Sequence, residues 1–135
     1  MAIDNVEIVR RGYAAFEEGG VEAILQFLDP DIEWHMSAAF TREPRVYRGH
    51  DGVREVFRFF NEQIADLRAD PHEFIEAPGD RVIVPLRMHG RTRETGEPVA
   101  YELVQVWVGR DGKAIRLNTY PDREAALADA RAAYG

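Results

Sequence analysis

An α+β fold is predicted by three features of the chain: apolar stripes at helical spacing in the first half, a switch to alternating period from residue 72, and turn signals that cut the second half into short runs. The helical stripes come first. Val6, Val9, Tyr13 and Phe16 fall at i, i+3, i+7 and i+10, with Arg10, Arg11, Glu17 and Glu18 off the stripe. Asp4 followed by Glu7 is a capping-box pattern, and Gly19-Gly20 ends this helix because glycine tolerates the left-handed conformation of a C-terminal cap. Val21, Ile24, Leu25 and Leu28 form a second stripe, closed by Asp29-Pro30, so the two helices make a hairpin leading into a strand with Trp34, His35 and Met36.

Residues 38–52 read as a long irregular connection of the kind that serves as a lid, a pocket wall or a plain crossover. A third helix is expected from Asp51 to Asp70-Pro71, carrying Val53, Val56, Phe57, Phe60, Ile64 and Leu67 on one stripe. Beyond it, HEFIEA, RVIVPLRMHGRTR, EPVAYELVQVWVG and KAIRLNTY read as four strands of an antiparallel meander, separated by Pro78-Gly79-Asp80, Thr95-Gly96 and Asp111-Gly112. On the second of these, Val82, Val84, Leu86 and Met88 face one way, opposite Ile83, Pro85, Arg87 and His89. Both faces carry apolar residues, a pattern expected where a partner subunit covers the outer face. A closing helix is expected from Asp122 to Ala133, capped by Asp122.

Composition bounds the function. With 135 residues, 45% of them hydrophobic, the chain is expected to form a single domain over 1–135 with a core of its own. It has no cysteine, which removes thiolate nucleophiles, iron–sulfur clusters and cysteine-ligated zinc and fits a cytoplasmic location. The N-terminal segment lacks the basic-then-apolar pattern of a secretory signal, and no run is long enough to cross a membrane. A net charge of −7 argues against nucleic-acid binding. No HExxH spacing, glycine-rich phosphate loop or serine elbow is present, so neither metal nor cofactor is expected.

The segments NVEIVRRGYAAFEEGGVEAILQFLDPDIEWH, YRGHDGVREVFRFF, GDRVIVPLRMHGR, VQVWVGRDGKAIRL and YPDREAAL, in this order, resemble the SnoaL-like branch of the nuclear transport factor 2-like superfamily. The resemblance implies a cone-shaped, curved antiparallel sheet wrapped around three N-terminal helices, an internal cavity, and a homodimer formed through the outer sheet face. It also implies a cavity lining drawn from Tyr13, Phe16, Trp34, Met36, Phe57 and Phe60, completed from the meander by Leu86, Met88, Tyr101, Leu103, Gln105, Trp107, Leu117 and Thr119. Such a wall suits a small, flat hydrophobic molecule and equally suits a filled core.

Enzymes of this superfamily carry catalytic carboxylates that the chain does not reproduce. Where ketosteroid-isomerase-like members place an acid or a tyrosine, the chain has His35 or Met36, Gly12 or Tyr13, and Gln105; where cyclases and epoxide hydrolases place acids, it has Asn118 or Thr119 and Met88 or His89. What remains for chemistry is His35 as a general base, with Gln105 and Tyr13 donating hydrogen bonds to a developing enolate oxygen. Strand alternation opposes this, because His35 points away if Trp34 and Met36 point inward. Two classes of function stay open: a non-catalytic pocket for a small hydrophobic ligand, and a cofactor-independent isomerase, cyclase or hydrolase acting on a small hydrophobic carbonyl or epoxide.

Overall fold

In the computed structural model, which describes residues 4–36 and 45–134, helix α1 (Asn5–Ile24) starts where Asp4 accepts a hydrogen bond from the Glu7 backbone N–H at 3.3 Å. Gly20, with φ +72°, breaks it into the two helical pieces of a hairpin. The second piece is shorter than its apolar stripe: a 3₁₀ turn covers Leu25–Phe27 and strand β1 (Leu28–Met36) comes at once after it. Asp29-Pro30 is therefore inside a strand and not a helix stop. Proline is tolerated there because the pairing of β1 with its neighbour skips from Leu28 to Glu33, so no ladder hydrogen bond needs its missing N–H.

The expected connection over 38–52 falls partly outside the described residues, and from Arg45 onward the chain is regular rather than irregular. Strand β2 (Arg45–Arg48) pairs antiparallel with β1, setting Tyr47 opposite Trp34, and α2 (Gly49–Gln63) packs Val53, Val56 and Phe57 into the core. The third helix is a further correction. It ends at Gln63, and Ile64–Pro71 form strand β3, antiparallel to β5 (Arg81–Thr92). Ile64 and Leu67 satisfy helical spacing over a short span, but burial alternates along β3 from Ala65 to Pro71, and the free edge of β5 supplies the hydrogen bonds that decide the matter. HEFIEA contributes only β4 (Ile75–Ala77), which extends the same edge of β5.

Strands β6 (Pro98–Arg110) and β7 (Lys113–Tyr120) complete the meander with β5, and the sheet runs β2-β1-β7-β6-β5-β3. One pair departs from the antiparallel expectation: β1 is parallel to β7, which is possible because the whole intervening chain serves as the crossover. Register shifts in β1, β3 and β6 mark bulges that curve this sheet around α1 and α2. Its concave face carries Trp34, Met36, Val84, Leu86, Leu103, Trp107 and Leu117 in one core with Val9 and Phe57 from the helices.

The convex face has an apolar patch of its own. Ile83, Val104 and Val106 are buried there with Ala126 of helix α3 (Arg123–Tyr134), whose first turn is capped by Asp122 accepting from the Ala125 N–H at 2.8 Å. The closing helix thus covers part of the outer apolar face, at Ile83, Val104 and Val106, within one chain. No helix among the described residues is long and apolar enough to cross a membrane.

Candidate functional site

Strand alternation delivers the inner-face side chains of three adjacent strands to one wall. Trp34 on β1 lies beside Leu117 on β7, and Thr119 on β7 lies beside Gln105 on β6. Facing them, α2 presents Phe57 and Phe60, and β3 presents Ile64 and Leu67. Between these elements is a cavity of about 310 Å³, bordered by Trp34, Met36, Phe57, Phe60, Met88, Tyr101, Leu103, Gln105 and Thr119, all expected positions. Val56, Phe59, Gln63, Ile64 and Leu67 border it as well. Sequence reasoning missed Ile64 and Leu67 as strand residues, although the alternation from Ala65 to Pro71 was a usable signal.

A second, smaller cavity of about 50 Å³ lies toward α1 and is bordered by Tyr13, Phe16 and Trp107. Trp34, Phe57, Met88 and Gln105 border both, so the two cavities adjoin. Only the larger is in the range that holds a small organic molecule. Two expected positions border neither: Leu86 and Leu117 are 1% and 0% exposed and serve as packing between the sheet and the helices.

Polar atoms in this apolar setting are few and ordered. Trp107 Nε1 donates to Tyr13 Oη at 3.0 Å, and the Tyr13 hydroxyl donates to Gln105 Oε1 at 2.5 Å. Burial pushes the Tyr13 phenol above its ordinary pKa, and the Trp107 hydrogen bond opposes that shift without reversing it, so Tyr13 stays neutral. Tyr13 therefore spends its proton on Gln105 and does not offer it to a ligand. Trp34 Nε1 and Thr119 Oγ1 are buried and have no hydrogen-bond partner among the described residues. Each such orphan costs roughly 1–3 kcal/mol when left unmatched.

His35 is directed to the other face. It pairs with Glu33 at 3.0 Å, and Glu33 also accepts from Arg48 at 2.9 Å, on the convex side of β1 and β2. His35 borders neither cavity, because Trp34 and Met36 occupy the inward positions of the strand and no bulge intervenes between them. The other histidines are engaged similarly: His50 with the Leu28 carbonyl, His72 with Glu102 and His89 with Asp70. Asn118, also outward, donates to Tyr120 Oη at 3.0 Å. No cluster of three or more His, Asp or Glu suited to a metal ion is found among the described residues.

The hydrogen bonds from His35 and Arg48 hold the Glu33 carboxyl below the ordinary carboxylate range. A depressed carboxylate adds stability above its unfolded pKa and loses it as the pH falls through its folded pKa. Wild type is therefore expected to be slightly more stable than Glu33→Gln at neutral pH, with the gap closing in acid. Urea midpoints for both proteins across that range check this; a gap that does not change with pH would mean that the carboxylate charge is irrelevant.

A helix hairpin folded into a curved sheet, with a cavity between α2 and the concave face, is the frame against which known proteins can be compared. The SnoaL-like domain model matches residues 9–117. The chain belongs to the SnoaL-like domain family. Among solved structures, this SnoaL-like chain is similar to an NTF2-like protein of Burkholderia thailandensis E264, at 29% identity over 96% of this chain and 98% of that one, with a TM-score of 0.78. TerC, crystallised together with polyporic acid, is 31% identical over 92% and 95% of the two chains, with a TM-score of 0.76. A protein with a ketosteroid isomerase-like fold from Catenulispora acidiphila DSM 44928 is 17% identical over 90% of each chain, with a TM-score of 0.72, and shares the fold alone. No curated protein matches the sequence.

Proposed function

We propose that this SnoaL-like chain binds a small, flat, mostly apolar organic molecule in the cavity between α2 and the concave sheet face. The observation that carries this reading is the cavity of about 310 Å³, whose walls are aromatic, aliphatic and methionine side chains with a few polar atoms among them. The likeness to TerC, which was co-crystallised with polyporic acid, supports a small-molecule role for this fold at this level of identity. Binding is favoured over proton-transfer catalysis by what borders the cavities. Among the described residues, their only titratable side chains are Tyr13, buried and neutral, and Tyr101, 47% exposed. Tyr13, raised by burial and already bonded to Gln105 and Trp107, is not poised as a general base near neutral pH.

The reading is tested with two bicyclic probes, tetralin and 1-tetralone, titrated calorimetrically into the wild type and into Leu67→Trp. Leu67 is half-buried on β3 and borders the cavity, so the larger ring takes up its volume without entering the main core. Saturable binding to the wild type is expected, weakened at least about tenfold (~1.4 kcal/mol) in Leu67→Trp, with the melting temperature nearly unchanged. Failure of both probes to bind, or equal affinity in the variant, overturns the reading.

A further inference from the structure

We infer that the cavity recognises its ligand through an acceptor oxygen, a carbonyl or an equivalent group, and that Trp107 and Tyr13 set this preference by fixing the direction of the Gln105 amide. The inference rests on the ligand-binding reading above and specifies the ligand's chemistry. Its logic is one of donors and acceptors. An indole N–H can only donate, so the 3.0 Å contact from Trp107 Nε1 makes Tyr13 Oη an acceptor there. The hydroxyl proton of Tyr13 is then free for the 2.5 Å contact to Gln105, whose receiving atom must be the carbonyl oxygen, Oε1. With Oε1 turned toward Tyr13, the group of Gln105 that this network leaves unused is its NH₂, a donor only.

Two more residues on the border of the same cavity carry polar groups of matching polarity. Trp34 Nε1 is also donor-only; Trp34 is 4% exposed, and the nitrogen has no partner among the described residues. Thr119, 5% exposed and directly opposite Gln105 in the β6–β7 register, has an unpartnered hydroxyl that can rotate to donate. Three adjacent strands thus place Gln105, Trp34 and Thr119 on the border of one apolar cavity, each with a group able to donate, and no carboxylate or histidine borders it among the described residues. A ligand offering an oxygen lone pair satisfies these groups. A ligand offering only a donor leaves the indole N–H and the Gln105 NH₂ unmatched.

The experiment compares 1-tetralone with tetralin, which has the same ring frame without the carbonyl, in wild type, Gln105→Glu and Thr119→Val. Taking the ratio of the two dissociation constants, and following its change between proteins, removes the difference in hydration of the probes. The carboxylate of Gln105→Glu replaces the NH₂ donor with an acceptor, and the relative affinity for tetralone is expected to fall at least about tenfold; Thr119→Val is expected to lower it about fivefold. In nuclear magnetic resonance spectra the Trp34 indole proton is expected to move downfield with tetralone and not with tetralin, while the Trp107 signal stays in place. Should Gln105→Glu fail to fold, Thr119→Val and the Trp34 signal decide. An unchanged ratio in the folded variants, or a Trp34 signal insensitive to saturating tetralone, overturns the inference while leaving the binding reading intact. If neither probe binds the wild type, the binding reading falls and this inference with it.

Discussion

Replacing Trp34 with alanine is expected to cost about 4 kcal/mol and lower the melting temperature by ~15 °C. Trp34 is 4% exposed and stands edge-on to Phe57 of α2 at 5.6 Å and to Trp107 of β6 at 5.8 Å. It therefore joins β1 to a helix and to the centre of the sheet, and each contact adds to the transfer energy of the buried indole. Truncation leaves a void beside the existing cavity, with little prospect of collapse because the neighbouring rings are held by other partners: Phe57 by Phe16 at 5.1 Å, and Trp107 by its bond to Tyr13. Urea and thermal denaturation check the figure. A loss below about 1 kcal/mol would show that the site relaxes around the missing ring.

Gly90→Val is expected to destabilise the fold by about 3 kcal/mol, an overpacking effect. Gly90 lies on β5, where a Cβ atom would come 2.5 Å from Ile64 Cγ2 and 2.6 Å from the Ala65 carbonyl oxygen. The oxygen is main chain and cannot turn aside. It belongs to the stretch of β3 where pairing with β5 slips between Ala65 and Arg68 and Asp66 adopts φ +56°, so relief would require moving the bulge. Gly12 provides the contrast. It sits inside α1 with open space where a Cβ would be, and Gly12→Ala is expected to stabilise by about 0.5–1 kcal/mol. Equal effects of the two substitutions in chemical denaturation would contradict this account.

The pair of glycines illustrates how unevenly the fold was legible. Asp4 with Glu7, the break at Gly20 and the cap at Asp122 could be read directly, since each depends on residues within one turn of the chain. Strands β5, β6 and β7 could be read because alternation over eight or more residues is hard to mistake for a helix. Ile64–Pro71 and Arg45–Arg48 were harder. The second is only four residues, the first continues a helical stripe and has a bulge between Ala65 and Arg68, and each becomes a strand through an edge supplied by a distant segment: β5 for the first, β1 for the second. The outer apolar patch shows the same limit of a local reading, since Ile83, Val104 and Val106 show that something covers them but not that it is Ala126 of the same chain.

The candidate site divides along the same line. Which side chains face inward followed from period two on the strands and from the stripes on the helices; this placed Trp34, Gln105 and Thr119 on one face and, by the same rule, His35 on the other. By itself, then, the sequence determined the helices capped by local residues, the long strands of the meander, the inner face and the absence of catalytic acids from the compared positions, because these depend on residue identity and on spacing along the chain. The tertiary structure alone decided that Tyr13 meets Gln105 and Trp107, 92 and 94 residues away, and that Trp34 Nε1 and Thr119 Oγ1 are left without partners beside a cavity. Hydrogen-bond satisfaction is a property of atoms brought within about 3 Å by packing, and nothing in the local period of a sequence carries that information.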